Sequence, residues 1–591
     1  MSMPGLVGFT SRTHLSPHAL DARLKALKSN LIIPNDHTEH DILFGPQTAG
    51  TLICPQWQTS PRTFQNNTGI IAWLEGDLFN RKTITDQRNW PMTSDIELLI
   101  SLVTNPDHKS TLKMVDGLFS LILLDTHKNQ LHILTDRYGL RPLYWHVTPT
   151  GLSWASEAKA FLKLPDFSPT ITPDTATTFL ATGQLPPDQT WFEGVTQVPP
   201  ASHIIYNTAT GNLTRERYWW WDQISTRVGK VNLTDAAQEF GHLFERAVTQ
   251  RTQPDHQGLM LSGGLDSRAI FAALPGAAPT YTFGQANSTE VQIAAQVAAI
   301  RMSPHTILPL DQDNWLQPRM EAVWWTDGAL NIMHMHGVEH LDTISQAIRI
   351  GFNGAGGDGL AGGGHLFESH NHHHYLSHNL HLQIENTPVA RQHLDKAFID
   401  AGSAHAFYID WRMRGFSIHG PRMGLFKGID YRLPFLDNDL QAFLFALPLS
   451  YKQNSTLYRQ MLLHTFPAYF RDIPWARTGK PITWSKWALR SAKVLQKLQK
   501  KSPKNQFTNY PFWLREPNTQ QVINTLLNAP TTQFGNITPP DIFNQLWADH
   551  LSGQDHSDQI GRYLTLELYL RQVFNNQYRT HEDTQSLFTQ K

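Results

Sequence analysis

Leu261-Ser262-Gly263-Gly264-Leu265-Asp266-Ser267-Arg268 decides how this chain is read. An apolar, strand-like segment at 258–261 leads into it and a helical pattern at 268–274 follows. A Ser-Gly-Gly-x-Asp-Ser turn between strand and helix aims backbone N–H groups and two hydroxyls at one point. The positive end of the helix dipole adds to that field, which makes an anion cradle shaped for pyrophosphate. Gly263 and Gly264 permit close backbone approach, Leu261, Ser262, Leu265 and Ser267 complete the loop, and Asp266 is placed to hold Mg²⁺ against phosphates. Such a turn marks enzymes that split ATP between its α and β phosphates and leave AMP on a carboxylate.

At 591 residues the chain is too long for one core, so at least two domains are expected. Apolar content of 40% and charged content of 17% describe an ordinary globular protein. Forty-nine basic against 50 acidic side chains give no global field for nucleic acid or a membrane surface. One cysteine, Cys54, excludes internal disulfides and cysteine-based metal sites. No apolar run approaches the ~20 residues of a membrane span, and the N-terminus does not read as a secretory signal. A cytoplasmic enzyme with neither nucleic-acid nor membrane partners is the expectation.

The first ~220 residues read as β-rich from period-2 alternation and turn spacing, with strands at 69–74, 118–124, 130–135 and 142–145. One helix fits 95–102, where Ile96, Leu99, Ile100 and Val103 share a face. The tract Tyr218-Trp219-Trp220-Trp221-Asp222 closes this region and reads as packing across a domain junction. From Asn232 helices and strands alternate: a helix over 235–250 capped by Thr234, the strand and phosphate loop, a strand at 280–283, a helix at 289–300 and a strand at 306–308. That order predicts a parallel sheet with ligand at the carboxyl ends of its strands. After about residue 395 the chain turns mostly helical. Lys486, Arg490, Lys493, Lys497, Lys500, Lys501 and Lys504 read as a solvated helix face, with docking of an acidic partner or peptide as the sharper alternative. His370, His372, His373, His374 and His378 lie in a polar, loop-like stretch without a fixed carboxylate pairing, so a metal site there is not expected.

With the phosphate loop placed, nearly the whole chain resembles the asparagine synthetase family. Asn353-Gly354-Ala355-Gly356-Gly357-Asp358-Gly359 looks like that family's second acidic, Gly-rich loop. The resemblance implies that Gly354, Gly356 and Gly357 complete the ATP site and that Asp358 joins Asp266 on Mg²⁺. Tyr431-Arg432-Leu433-Pro434-Phe435-Leu436-Asp437 matches its Arg-x-Pro-Phe-x-Asp segment, and Arg477-Thr478-Gly479-Lys480 its late basic motif. The resemblance assigns catalysis to Lys480, Arg477, Asp266 and Asp358, with Lys480 stabilising the acyl-transfer oxyanion and Arg477 sharing that role.

The N-terminal part resembles the family's glutaminase domain, an N-terminal-nucleophile fold, through Gly5-Leu6-Val7-Gly8-Phe9, Glu75-Gly76-Asp77-Leu78-Phe79-Asn80, Ser94-Asp95-Ile96-Glu97, the run from Asp136 to Tyr144, and Ala155-Ser156-Glu157. The implied fold class is α/β: a glutaminase-like α+β sandwich over residues 1–225, then an ATP-pyrophosphatase domain over 226–591 with a parallel sheet and a helical C-terminal part. Two departures bear on function. Glutamine hydrolysis in this family needs a cysteine at residue 2, directly before the first glycine, but here residue 2 is Ser2 and Pro4 precedes Gly5. Glu75 also stands where an asparagine is usual, an acceptor-only group in place of an oxyanion donor, so the glutaminase-like domain is expected to be inactive. In the second loop Ala355 replaces a glutamate that handles ammonia, and Gly359 an acidic residue. Carboxylate adenylation with ATP and Mg²⁺ is the chemistry left intact.

Three functions compete. The first is an intramolecular amide ligase of the lasso peptide cyclase type, acting on a peptide precursor with a protease or carrier-protein partner; tethering the amine then replaces ammonia delivery. The alternative is amidation of a free or sugar-borne small acid with ammonia or glutamine. The third is a catalytically silent scaffold, which intact Asp266, Asp358 and Lys480 argue against.

Overall fold

A computed structural model describes residues 5–31, 36–226, 231–253, 255–362, 382, 386–485, 488 and 507–589, with the side chains of Asp358 and Thr589 excepted. Ser2, Pro4, the histidine cluster at 370–378 and the basic stretch from Lys486 to Lys504 lie outside these residues.

Two six-stranded sheets form the N-terminal part. In the first, Gly5–Ser11 lies antiparallel between Thr48–Pro55 and Gly151–Ala155. In the second, Gly117–Asp125 lies antiparallel between Ile70–Leu78 and Gln130–Thr135. Leu6, Leu52, Trp73, Ile122, Ile133 and Trp154 pack between the sheets. Outside the second sheet, Leu121 and Leu123 meet Leu98, Leu99 and Leu102 of the helix Asp95–Thr104. Outside the first, Val7 and Phe9 meet Leu20, Leu24 and Leu27 of the helix Pro17–Lys28. The central strands are therefore apolar on both faces, as a helix–sheet–sheet–helix sandwich requires. The strand expected at 142–145 begins two residues later, at Tyr144–Thr148, because Pro142 cannot donate to a ladder.

The C-terminal part is built on a five-stranded parallel sheet. Its order across the sheet is His305–Pro309, Thr280–Gly284, Gln257–Met260, Ile350–Phe352 and Asp430–Arg432. The chain reverses its direction of winding beside the central strand, which is where a parallel sheet opens a crevice. The helix before that strand starts at Leu233, and its cap is Asn232 rather than Thr234: Asn232 Oδ1 accepts the Thr234 N–H at 2.8 Å. The helix after the phosphate loop is Asp266–Ala273, so it begins two residues before the expected 268, inside the loop itself. That shift puts Asp266 in the first helical turn, where a carboxylate is favoured by the helix dipole. The tryptophan tract packs as read from the sequence: Trp219 carries Arg137 at 4.2 Å, and Trp221 lies 5.1 Å from Phe445 of the C-terminal part.

Candidate active site

The phosphate loop is braced by its own hydroxyls. Ser267 Oγ accepts the Ser262 N–H at 2.9 Å, the Ser262 and Ser267 hydroxyls stand 2.9 Å apart, and Ser262 Oγ accepts the Gly264 N–H at 3.2 Å. Arg268, fully buried, donates to the carbonyls of Gly263 at 3.0 Å and Pro474 at 2.8 Å. Burial pulls its pKa down to about 10, which leaves it a cation at neutral pH. Arg268 thus clamps the loop to the 469–476 segment, and Ala476 adds an N–H to the Gly263 carbonyl at 3.1 Å.

Asp266 is where the two loops meet. Its Oδ1 accepts the Tyr458 hydroxyl at 2.8 Å. A Cβ on Gly357 would stand 2.2 Å from Asp266 Cγ, and one on Gly354 2.9 Å from Asp266 Cβ, so both positions of the second loop require glycine. Gly356 turns the chain at φ +92°, and Gly357–Ala361 forms one wide helical turn that carries Asp358. The Asp358 side chain lies outside the described atoms.

A cavity of about 420 Å³ opens beside this junction, at the carboxyl ends of the central strands. Leu261, Ser262, Asp266, Ser267 and Gly354 line it, with Ala355 next to them. Gly263, Gly264, Leu265, Gly356 and Gly357 shape the backbone behind this wall. Carboxylate and hydroxyl oxygens are the donors Mg²⁺ prefers. No group of three or more histidine, cysteine or acidic side chains able to hold a metal occurs among the described residues. Lys480 and Arg477 do not line the cavity. The Lys480 ammonium lies 4.7 Å from the Trp484 ring centre, and the exposed Arg477 lies 5.5 Å from that of Trp475. Both belong to the turn that touches Gly263 through Ala476.

The cavity lining also carries groups that the sequence reading passes over: Glu290, packed against Gly263, and His334, His336 and Tyr431. Burial raises the Glu290 carboxyl, against the opposing pull of the Gly263 N–H. Burial pushes the Tyr431 phenol well above its ordinary range. The run His334-Met335-His336-Gly337 was the one visible signal, and no spacing within it announces chemistry.

A smaller cavity of about 250 Å³ lies where the glutaminase-like part meets the C-terminal part, bordered by Asp77, Asp95 and Arg81 from the first and Arg251 and Arg432 from the second. Its acidic groups are already paired. Asp77 bonds to Arg62 on one oxygen and to Arg432 at 2.5 Å on the other, and Asp95 accepts Arg81 at 2.9 Å. Burial favours the neutral form of Asp77, yet the two arginines outweigh it and hold the carboxyl well below the usual range. Beside Gly5, Glu75 accepts the Ser156 hydroxyl and lies 3.4 Å from Arg422, which itself donates to the Ser156 carbonyl at 2.9 Å.

Comparison with known proteins follows the same division. A glutamine amidotransferase domain model matches residues 60–219, and an asparagine synthase model matches residues 239–571, more than half of the chain. The asparagine synthetase [glutamine-hydrolyzing] of Rattus norvegicus is 22% identical over 402 residues, 64% of this chain and 65% of that protein. Asparagine synthetase [glutamine-hydrolyzing] 3 of Bacillus subtilis is 24% identical over 51% of this chain and 49% of its own length. The chain thus spans about two thirds or less of these relatives. A glutamine phosphoribosylpyrophosphate amidotransferase structure from B. subtilis overlaps 51% of this chain and 65% of that chain at 14% identity, with a TM-score of 0.26, too slight to bear weight. By the match over residues 239–571, the chain belongs to the asparagine synthase family.

Proposed function

We propose that this protein activates a carboxylate with ATP and transfers the acyl group to an amine nitrogen, releasing pyrophosphate and AMP. The observation that carries the reading is the junction of the two glycine loops on Asp266, at the mouth of the cavity. The backbone and hydroxyls of Ser262 to Ser267 hold the phosphates as the carboxylate oxygen attacks the α-phosphorus. Asp266, with Asp358, would hold Mg²⁺, which when bound offsets phosphate charge. Lys480 is assigned to the acyl-transfer oxyanion; from its position on Trp484 it has to swing toward Gly263.

Amidation of a free or sugar-borne acid is the preferred form, because the relatives named above are asparagine synthetases. The macrolactam form keeps one argument, Ala355, whose methyl group can perform no proton transfer. Nitrogen from glutamine is not part of the proposal. Glu75 is engaged by Ser156 and Arg422, and the carboxylates in the neighbouring cavity are neutralised by arginines.

Carboxylate-dependent ATP–pyrophosphate exchange over a panel of amino acids, sugar acids and peptides tests this directly. Exchange with at least one acid is expected, with AMP and amide formed in equal amounts on adding ammonium or an amine. Asp266→Asn should lower exchange at least ~100-fold. Absence of exchange across the panel, or ADP in place of AMP, overturns the reading. Release of glutamate from glutamine overturns the inactive glutaminase-like site.

A further inference from the structure

An acyl-adenylate becomes an amide only if the attacking nitrogen sheds a proton, so the cavity must contain a group able to take it. Of the ionisable groups described on its walls, most are committed. Asp266 is bonded to Tyr458, Glu290 faces the Gly263 N–H, and the Tyr431 phenol stays protonated. His336 stacks on Phe283 and meets the Tyr510 hydroxyl at 2.9 Å, with no carboxylate behind it among the described residues.

His334 differs. Its Nε2 lies 3.0 Å from Asp558 Oδ1, at the start of the helix Ser557–Phe574. Asp558 is fixed in turn. Asn331, wholly buried, donates to the same Oδ1 at 2.9 Å, and buried Arg562 pairs with Oδ2 while donating to the carbonyls of Leu180 and Ala181. Burial works to raise the Asp558 carboxyl, but the hydrogen bond from His334 and the charge of Arg562 prevail and hold it below the ordinary carboxylate range. An ionised carboxylate only accepts, so Nε2 carries the proton. Nδ1, with no hydrogen-bond partner among the described residues, is left as the basic nitrogen.

His334 also separates two spaces. It lines the nucleotide-side cavity and, together with His336 and Phe507, a second chamber of about 580 Å³. That chamber is bordered by Asp555 and Asp558, with Arg562 on the same wall and paired with Asp558, so an amine that enters uncharged meets no net field there. We infer that His334, oriented by Asp558, is the general base for nitrogen attack, and that the chamber behind it admits the amine; this assignment rests on the proposed adenylation. The lone pair of the uncharged amine forms the C–N bond, the bond from carbonyl carbon to AMP oxygen breaks with its electrons leaving on AMP, and the one proton the nitrogen then sheds passes to His334 Nδ1. His334 thus performs, in the same cavity, the proton chemistry that Ala355 cannot. Asp558 is a positioning residue.

The test uses the full chain and an acid that supports exchange. Hydroxylamine, largely unprotonated at neutral pH, attacks acyl-adenylates without needing a base. His334→Gln is expected to keep exchange, which precedes the assigned step, within a few-fold of the parent. Amide formation from ammonium or an amine should fall ~10²–10³-fold, and hydroxamate formation should remain within a few-fold. Asp558→Asn should give the same pattern with a smaller loss, ~10-fold or more. Unchanged amide formation in His334→Gln overturns the inference while the adenylation reading stands. So does a parallel loss of exchange, amide and hydroxamate, which marks a structural role. No exchange in the parent protein sinks the adenylation reading itself and the base with it.

Discussion

Asp266 and Gly357 work as a matched pair. The carboxylate sits so close to the second loop that any side chain at 357 must displace it, since a Cβ there would stand 2.2 Å from Cγ. The three atoms nearest such a Cβ all belong to the Asp266 carboxylate, which must turn away, and a displacement of ~1 Å in a catalytic group costs on the order of 100-fold in rate. Gly357→Ala is therefore expected to lower pyrophosphate exchange by about 100-fold. Chemical denaturation should show a loss of only ~1–3 kcal/mol, the usual cost of overpacking. Exchange at the parental rate would mean that Asp266 is not held where the loops meet. Arg268 illustrates a different use of charge at the same scale: fully buried, it donates to four carbonyls and so acts as a clamp on the loop that precedes it.

Among elements, the strands Gln130–Thr135 and Ser202–Asn207 pair antiparallel and bury two histidines against each other, His132 Nδ1 lying 3.0 Å from His203 Nε2. Burial lowers both to about 4 from an ordinary 6.5, helped at His132 by the neighbouring His203. Between those values the unfolded chain binds protons that the folded chain refuses. Stability is then complete above about pH 6.5 and falls as pH drops toward about 4, by up to ~1.4 kcal/mol per unit for each histidine. Urea midpoints across that range should show the slope, and His203→Gln should remove roughly half of it; a slope unaltered by that change would assign the acid sensitivity elsewhere. The same scale shows what the sequence discloses. The Ser262–Ser267 loop, the strand that leads into it and the helix over 95–102 are legible because each is a local pattern. Asp430–Arg432 is not: three residues carry no periodicity, and they become a strand only because Ile350–Phe352 offers an edge. His334 and Asp558 are more than 200 residues apart, so their contact is a product of the fold and no motif contains it.

The whole molecule is joined by buried charge across the boundary between its sheets. Arg141 meets Asp430 at 2.5 Å, Arg251 meets Asp116 at 2.6 Å, and Lys159 lies 3.3 Å from Asp327. One apolar cluster contains Phe179 and Trp191 from the glutaminase-like part together with Trp324 and Tyr569 from the C-terminal part. Neither part can bury its own surface alone, so both are expected to unfold in one transition. Removing one partner of a buried pair strands the other. In Arg141→Met, Asp430, wholly buried, keeps among the described residues only Arg432 at 3.4 Å, and the loss should reach about 3 kcal/mol. Adding Asp430→Leu should return much of that loss, since an apolar pair of similar volume is often neutral against a buried ion pair. The effect should also reach the nucleotide site. Asp430 and Arg432 share the last parallel strand, and the Arg432 carbonyl accepts the Asn353 N–H at 3.0 Å, where the second loop begins. Arg141→Met is therefore expected to raise the ATP concentration needed for half-maximal exchange by several-fold, measured beside the denaturation curve. Two separate transitions in the parent protein, with only the later one moved by Arg141→Met, would show that the halves are held together weakly and that the first is dispensable to the second.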